Sequence, residues 1–289
     1  MKTATQYFFR FLLFGNVFVS LCAASLTYIN ALYFELIEIA FPLSIFIFCC
    51  TNIAYNFQRL FRIRKTSSER NSIRLTWIKE NKFLLLLSNY LLSGIASFLL
   101  LFLPKTTFLF LIPIGLISLW YVVSFKKIPA LRTIPFVKLF VIGSIWGLST
   151  FGLPLFLSQA VSCSLNQLLT FAAISFFIIF QTIPFDIRDI NYDNNFRIKT
   201  LAQYLGLQKS KYFSILGFGL LSLLFFWLGH QEPKYLASTI LFTYSVSSLL
   251  AIPFIMGINA KSNEVYYSGG VESILLFPFL VYLFWMNLI

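Results

Sequence analysis

The stretch "DIRDINYDNNFRIKTLAQYLG", Asp186 to Gly206, contains every aspartate of the 289-residue chain: Asp186, Asp189 and Asp193. It follows directly on an apolar run that ends near Phe185. In a helix, residues three, four and seven apart share a face. The three carboxylates therefore point the same way if the apolar helix continues through them. Like charges on one face repel, and they are costly beside hydrocarbon. A divalent cation relieves the repulsion, and Mg2+ takes oxygen ligands, often one or two carboxylates plus substrate phosphates. Arg188, Arg197 and Lys199 stand in or beside the cluster and suit phosphate oxygens. The competing reading is three ordinary acids at a helix end, paired with nearby arginines. Against it, the other acids (Glu35, Glu38, Glu69, Glu80, Glu232, Glu264 and Glu272) are scattered.

The rest of the chain says where such a cluster sits. It is 58% hydrophobic and 11% charged, with a mean hydropathy of +0.82, against roughly 25% charged residues in a soluble domain. Too few polar groups exist to cover a globular surface, whereas lipid can be faced over most of it. Apolar runs of about 20 residues recur along the whole length, enough to cross a bilayer as helices. The runs are continuously apolar, which excludes a transmembrane β-barrel. The net charge of +12 falls between the apolar runs, the pattern of topology-setting charge and attraction to anionic headgroups, so nucleic acid is not expected as a partner. Cys22, Cys49, Cys50 and Cys163 show no metal-ligand spacing and read as small buried hydrophobes. The first apolar run continues uncharged to about Phe34, which favours a retained helix over a cleaved leader.

Nine spans are expected, roughly 11–32, 37–57, 83–103, 107–125, 137–157, 167–185, 212–229, 236–257 and 271–288. With the N-terminus cytoplasmic, 20 of the 22 Lys and Arg lie on the cytoplasmic side and only Lys105 and Lys234 on the other. That asymmetry supports the count and an inner-membrane orientation together. Two cytoplasmic loops stand out. One, after span 2, carries Arg59, Arg62, Arg64, Lys65, Arg70, Arg74, Lys79 and Lys82; the other, after span 6, carries the aspartates. Their separation by four spans suggests a single domain, 1–289, of two quasi-repeated four-helix halves plus a ninth helix.

At this point the sequence resembles the UbiA superfamily of intramembrane prenyltransferases. Asp189 and Asp193 match the DxxxD core of that family's second Asp-rich motif, and Asp186 its DxxDxxxD extension. Lys199-Thr200 and Leu205-Gly206 match the tail. The form is similar to that of 1,4-dihydroxy-2-naphthoate and 4-hydroxybenzoate polyprenyltransferases, and the nine-span layout extends the resemblance over nearly the whole chain. The resemblance implies an all-α membrane protein with nine transmembrane helices around a central cavity open to lipid. It also implies Mg2+ as cofactor and, as partners, an isoprenyl diphosphate, a hydrophobic acceptor and membrane lipids. Asp189 and Asp193 would be catalytic metal ligands, with Asp186 supporting them.

The family's first motif, approximately NDxxDxxxD after span 2, corresponds here to "YNFQRLFRIRK". Asn56 is retained, but Phe57, Leu60 and Arg64 occupy the aspartate positions. Three outcomes stay open. Arginine takes over, with Asn52, Asn56 and Arg59 on one face of span 2, followed by Arg62 and Arg64, holding diphosphate while a single Mg2+ stays on the Asp side. Alternatively, Arg59 or Arg62 pairs with Asp189 or Asp193, turnover is lost, and the bundle is a lipid-binding or assembly protein. In the third, it is a polyisoprenoid carrier. Among the remaining basic residues, Arg188, Lys199 and Lys126 are candidate substrate contacts, Lys126 because the family places a basic element there. "WGLSTFGLP", Trp146 to Pro154, suggests close helix packing or cavity lining.

Overall fold

The computed structural model describes the chain apart from residues 1–3, 66–72, 125–127, 135, 159–162, 196–198, 260–261 and 289, and apart from the side chains of 4, 62–65 and 191–195. The described residues are helical and joined by short connections, with no strand among them. In chain order the helices are α1 (Ala4–Phe14), α2 (Val17–Tyr33), α3 (Ile37–Lys65), α4 (Ile73–Glu80), α5 (Lys82–Leu99) and α6 (Thr106–Val122). They continue with α7 (Val137–Leu157), α8 (Leu165–Asn195), α9 (Leu201–Gln231), α10 (Tyr235–Met256) and α11 (Tyr266–Met286).

Among the described residues, seven helices are long and apolar enough to cross a membrane, and the pair α1 and α2, bent by 57°, makes an eighth candidate. The remaining expected span is α6, apolar but only 17 residues long. The expected first span, 11–32, is thus not one rod. It breaks at Gly15-Asn16, where Asn16 adopts a left-handed backbone (φ 59°). The long polar loop is also shorter than expected, because α3 runs on to Lys65 and α4 forms from Ile73.

Two helices depart from α geometry within the bundle. In α7, Leu148–Gly152 is π-helical; in α11, Tyr266–Val271 is π-helical and Glu272–Leu276 is 3-10. Helix α2 packs against both of these segments. Its Asn30 donates to the Thr150 carbonyl in the π-turn (3.1 Å) and accepts from the Tyr244 hydroxyl of α10 (3.1 Å). A backbone group at an irregular turn is thereby satisfied where no water reaches it. Around Tyr244 the core is aromatic: Phe225 stacks on it at 5.0 Å and Phe177 meets it edge-on at 5.9 Å. Helices α7 and α8 approach closely because Gly147 has no side chain. A Cβ there would stand 2.2 Å from Ser175 Oγ, which bears out close packing in the Trp146–Pro154 segment.

The tail of the aspartate stretch has a local structural role. Thr200 caps α9, accepting from the Gln203 amide while the Gln203 side chain accepts from the Thr200 amide, a reciprocal capping box. Gly206 then takes φ 74°, a backbone conformation open to glycine, and bends α9 one turn after its start.

Candidate functional site

Helix α8 continues unbroken through the aspartate stretch to Asn195, so Asp186, Asp189 and Asp193 do share one helix. Asp186 is 1% exposed and receives a hydrogen bond from Lys138 Nζ of α7 at 2.5 Å. Asp189, one turn on, is held by its own neighbour. Arg188 Nε and Nη2 donate to its two oxygens at 3.0 and 3.1 Å. The Arg188 guanidinium also lies over the rings of Phe185 (5.1 Å) and Tyr267 (5.8 Å), a stacked placement that suits arginine. The Asp193, Arg62 and Arg64 side chains, Lys126 and Arg197 lie outside the described residues. Lys199 is exposed, and its carbonyl accepts from the Phe136 amide (3.3 Å).

The opposing wall is α3. Asn56, a candidate substrate contact, is fully buried, and its amide bonds within the protein. It accepts from Asn16 (2.7 Å) and donates to Asn52 (2.8 Å) and to Asn89 of α5 (3.1 Å). Asn52 in turn donates to the Gly15 carbonyl (3.1 Å). The reason is physical: the α1–α2 break exposes backbone and side-chain groups inside the bundle, and buried amides need partners. Arg59, one turn beyond, lies within electrostatic range of both Asp189 and Glu272. Of the described acids, Asp186 is paired with Lys138 and Asp189 with Arg188.

Four further residues converge here that the sequence did not single out. Arg74 of α4 is 8% exposed; its Nη2 donates to Asn16 (3.0 Å) and its Nη1 to Ser268 of α11 (3.4 Å). Its backbone amide donates to the Glu264 carboxylate (3.1 Å), and its buried Nε has no partner among the described residues. Burial lowers the Arg74 pKa from the ordinary arginine value and nearby Arg188 adds to this, while Glu272 and Glu264 oppose it. Glu272 stands where the π segment of α11 becomes 3-10, within range of Arg74, Arg59 and Arg188. Lys138 completes the group. The acids that look scattered in sequence are thus partly regathered: Glu264 and Glu272 return to the end of the bundle that holds the aspartates.

Tyr55, Arg59, Arg188, Asp189 and Glu272 are each partly exposed, and each lies within electrostatic range of at least one of the others. Together they form a polar group in an apolar bundle. Among the described residues no three His, Cys, Asp or Glu side chains converge as a ready metal cluster. The α8 carboxylates are nevertheless hard oxygen donors, and Asp189 belongs to this polar group. That donor set fits one Mg2+ completed by water and phosphate, not a cluster bridged to α3.

The fold has close counterparts. A UbiA homologue from Archaeoglobus fulgidus, solved with GPP and Mg2+, superposes with a TM-score of 0.63 at 11% identity, covering 96% of this chain and 99% of that one. A UbiA homologue from Aeropyrum pernix K1 gives 0.61 at 14% identity over 93% and 98%. A digeranylgeranylglyceryl phosphate synthase gives 0.54 at 17% identity over 95% and 96%. No family model matches the chain, and no curated protein matches its sequence. At these identities the likeness establishes the fold: an all-α membrane bundle of the UbiA type, matched end to end.

Proposed function

We propose that this UbiA-type bundle is a membrane prenyltransferase, moving an isoprenyl group from its diphosphate to a hydrophobic acceptor. One observation supports the reading: the described α8 carboxylates, Asp186 and Asp189, gather with Arg59, Arg74, Arg188 and Lys138 at one end of the bundle. Solved neighbours of the same fold hold GPP or DMAPP together with Mg2+, which supports the substrate class. Following the charge asymmetry of the loops, this end of the bundle would lie toward the cytoplasmic face of the inner membrane.

In this reading Asp189 and Asp193, four apart on α8, hold Mg2+, and Asp186 supports them from below. Bound Mg2+ would offset charge that develops on the departing diphosphate. Lys138 keeps Asp186 in place and neutralised. Arg188, once released from Asp189, turns its fork to a phosphate oxygen. On the opposite wall Arg59 and Arg74 do what the missing aspartates and their metal would do, because guanidinium groups bind phosphate bidentately. Arg62, Arg64, Lys199 and Lys126 are further diphosphate contacts from the surrounding loops. Asn56 orders the wall through Asn16, which carries Arg74. The surrounding apolar bundle takes the isoprenyl tail and excludes water.

A second reading rests on the pairing itself. Asp186–Lys138 and Asp189–Arg188 neutralise both carboxylates without metal, as a homologue that has lost turnover and serves as a lipid-binding or assembly protein would. Geranyl diphosphate binding by the purified protein, with and without Mg2+, separates the two. The transferase reading expects binding that Mg2+ strengthens and Asp193→Asn weakens. Binding indifferent to both would favour the second.

A further inference from the structure

The two ion pairs on α8 are not alike. Asp186 is buried and bonded by Lys138 of another helix, so helix packing fixes its partner. Asp189 is bonded by the residue beside it, and that pair is partly exposed, with side chains 21% and 18% accessible. Successive residues on a helix point in different directions and do not face each other. The Arg188 side chain must therefore fold back along α8 to place Nε and Nη2 on the two Asp189 oxygens, at 3.0 and 3.1 Å. Among the described residues no hydrogen bond from another helix holds it there. Its guanidinium is supported by rings instead, Phe185 of α8 at 5.1 Å and Tyr267 of the α11 π segment at 5.8 Å. A ring supports the face of the fork and leaves its edge free, and the guanidinium carries N–H groups beyond the two used here.

We propose that Arg188 occupies the metal position of Asp189 until diphosphate arrives, so that the site loads Mg2+ only together with its anionic substrate. This rests on the prenyltransferase reading. With the fork on both carboxylate oxygens, Asp189 already has a bidentate cationic partner, and Mg2+ alone must compete with it. A diphosphate offers the same guanidinium a second anion. Arg188 engages it through its unused N–H edge and then gives up Asp189, while its face stays on Phe185 and Tyr267. The freed Asp189 oxygens become hard donors for a Mg2+ that the diphosphate also ligates. Asp186, held across a helix interface, takes no part in the exchange. No covalent bond changes; one ion pair is traded for two. By linkage, diphosphate tightens Mg2+ and Mg2+ tightens diphosphate by the same factor. The pairing of Asp189 is then the resting state of a working site.

The test is Mg2+ binding by the full chain in nanodiscs of zwitterionic lipid, with and without geranyl diphosphate. Wild type is expected to hold Mg2+ at least about tenfold more tightly when geranyl diphosphate is present, within the usual range of coupling between sites. Arg188→Met should bind Mg2+ without diphosphate at least about fivefold more tightly than wild type, and should bind geranyl diphosphate more weakly. Arg188→Lys keeps the charge and loses the fork. It too should bind Mg2+ without diphosphate at least about twofold more tightly than wild type, because a single ammonium cannot cover both oxygens. That variant separates occupation of the carboxylate from general repulsion by a nearby cation, and it guards against a fold defect in the first. Three results would each overturn the inference alone: Arg188→Met with wild-type Mg2+ affinity, Arg188→Lys indistinguishable from wild type, or wild type that binds geranyl diphosphate and holds Mg2+ equally well without it. Wild type that binds no geranyl diphosphate under either condition would overturn the prenyltransferase reading, and this inference with it.

Discussion

Helices α3 and α8 reach the same end of the bundle with opposite chemistry. On α8, acids are kept and each described one is matched to a cation: Asp186 to Lys138 across a helix interface, Asp189 to the adjacent Arg188. On α3, no acid occurs at all between Glu38 and the end of the helix. Its polar face is instead an asparagine network that ties α3 to α5 and to the α1–α2 break, topped by Arg59. The difference shows how a wall without carboxylates keeps its polar groups satisfied: neutral amides bond one another, and a guanidinium group stands one turn beyond them. The two walls are unlike, one carrying acids and the other amides and Arg59.

Breaking the α8 wall should cost most. Lys138→Met leaves the buried Asp186 carboxylate without its partner, and loss of one member of a buried pair costs about 3–5 kcal/mol. The expected result is a large fall in thermal stability in detergent, much of it recovered by the double variant Lys138→Met/Asp186→Leu. If the single variant melts like wild type, Asp186 is not held by this pair. On the α3 wall, Asn56→Ala orphans amides on Asn16, Asn52 and Asn89. The expected loss is about 1–3 kcal/mol, together with weaker geranyl diphosphate binding, because Asn16 positions Arg74. Asp189→Asn sharpens the contrast from the other side. Its pair with Arg188 is partly exposed, with side chains 21% and 18% accessible, so stability should move by less than about 1 kcal/mol. The Mg2+-dependent part of diphosphate binding should nonetheless vanish. The smallest effect belongs to the opposite end of the bundle. Lys234→Gln breaks the exposed pair with Glu35 and should change stability by under about 1 kcal/mol, with binding untouched.

Much of this architecture is legible in the sequence. Apolar run lengths and the one-sided distribution of Lys and Arg give a helical membrane bundle, and the spacing of Asp186, Asp189 and Asp193 places them on one helix. The ion pair at the far end, Lys234 with Glu35, joins two turns that the orientation argument assigns to one side. What escaped has identifiable causes. Lys138 is 48 residues from Asp186, and nothing local marks a tertiary ion pair; an isolated lysine at the start of an apolar run was the available signal. Glu264 and Glu272 looked scattered because proximity here is set by helix packing, not by chain order. Arg74 sat in a long basic stretch with no periodicity to distinguish it. The α1–α2 break did leave a trace: Gly15-Asn16 inside an apolar run is a turn dipeptide, and the run's hydropathy outweighed it. The Asn56 position matches a motif, and the motif says nothing of two of its partners, Asn16 and Asn89, which lie on other segments.

The proposed site is asymmetric, with carboxylates and one metal on α8 and guanidinium groups on α3 and α4. Equilibrium dialysis of Mg2+ at saturating geranyl diphosphate, on wild type, Asp189→Asn and Arg59→Gln, measures this directly. The expected result is about one Mg2+ per bound diphosphate, as for a site using one or two carboxylates plus phosphate. That Mg2+ should be lost in Asp189→Asn and retained in Arg59→Gln at reduced diphosphate affinity. Two or more Mg2+ per diphosphate, or metal uptake unchanged in Asp189→Asn, would contradict it.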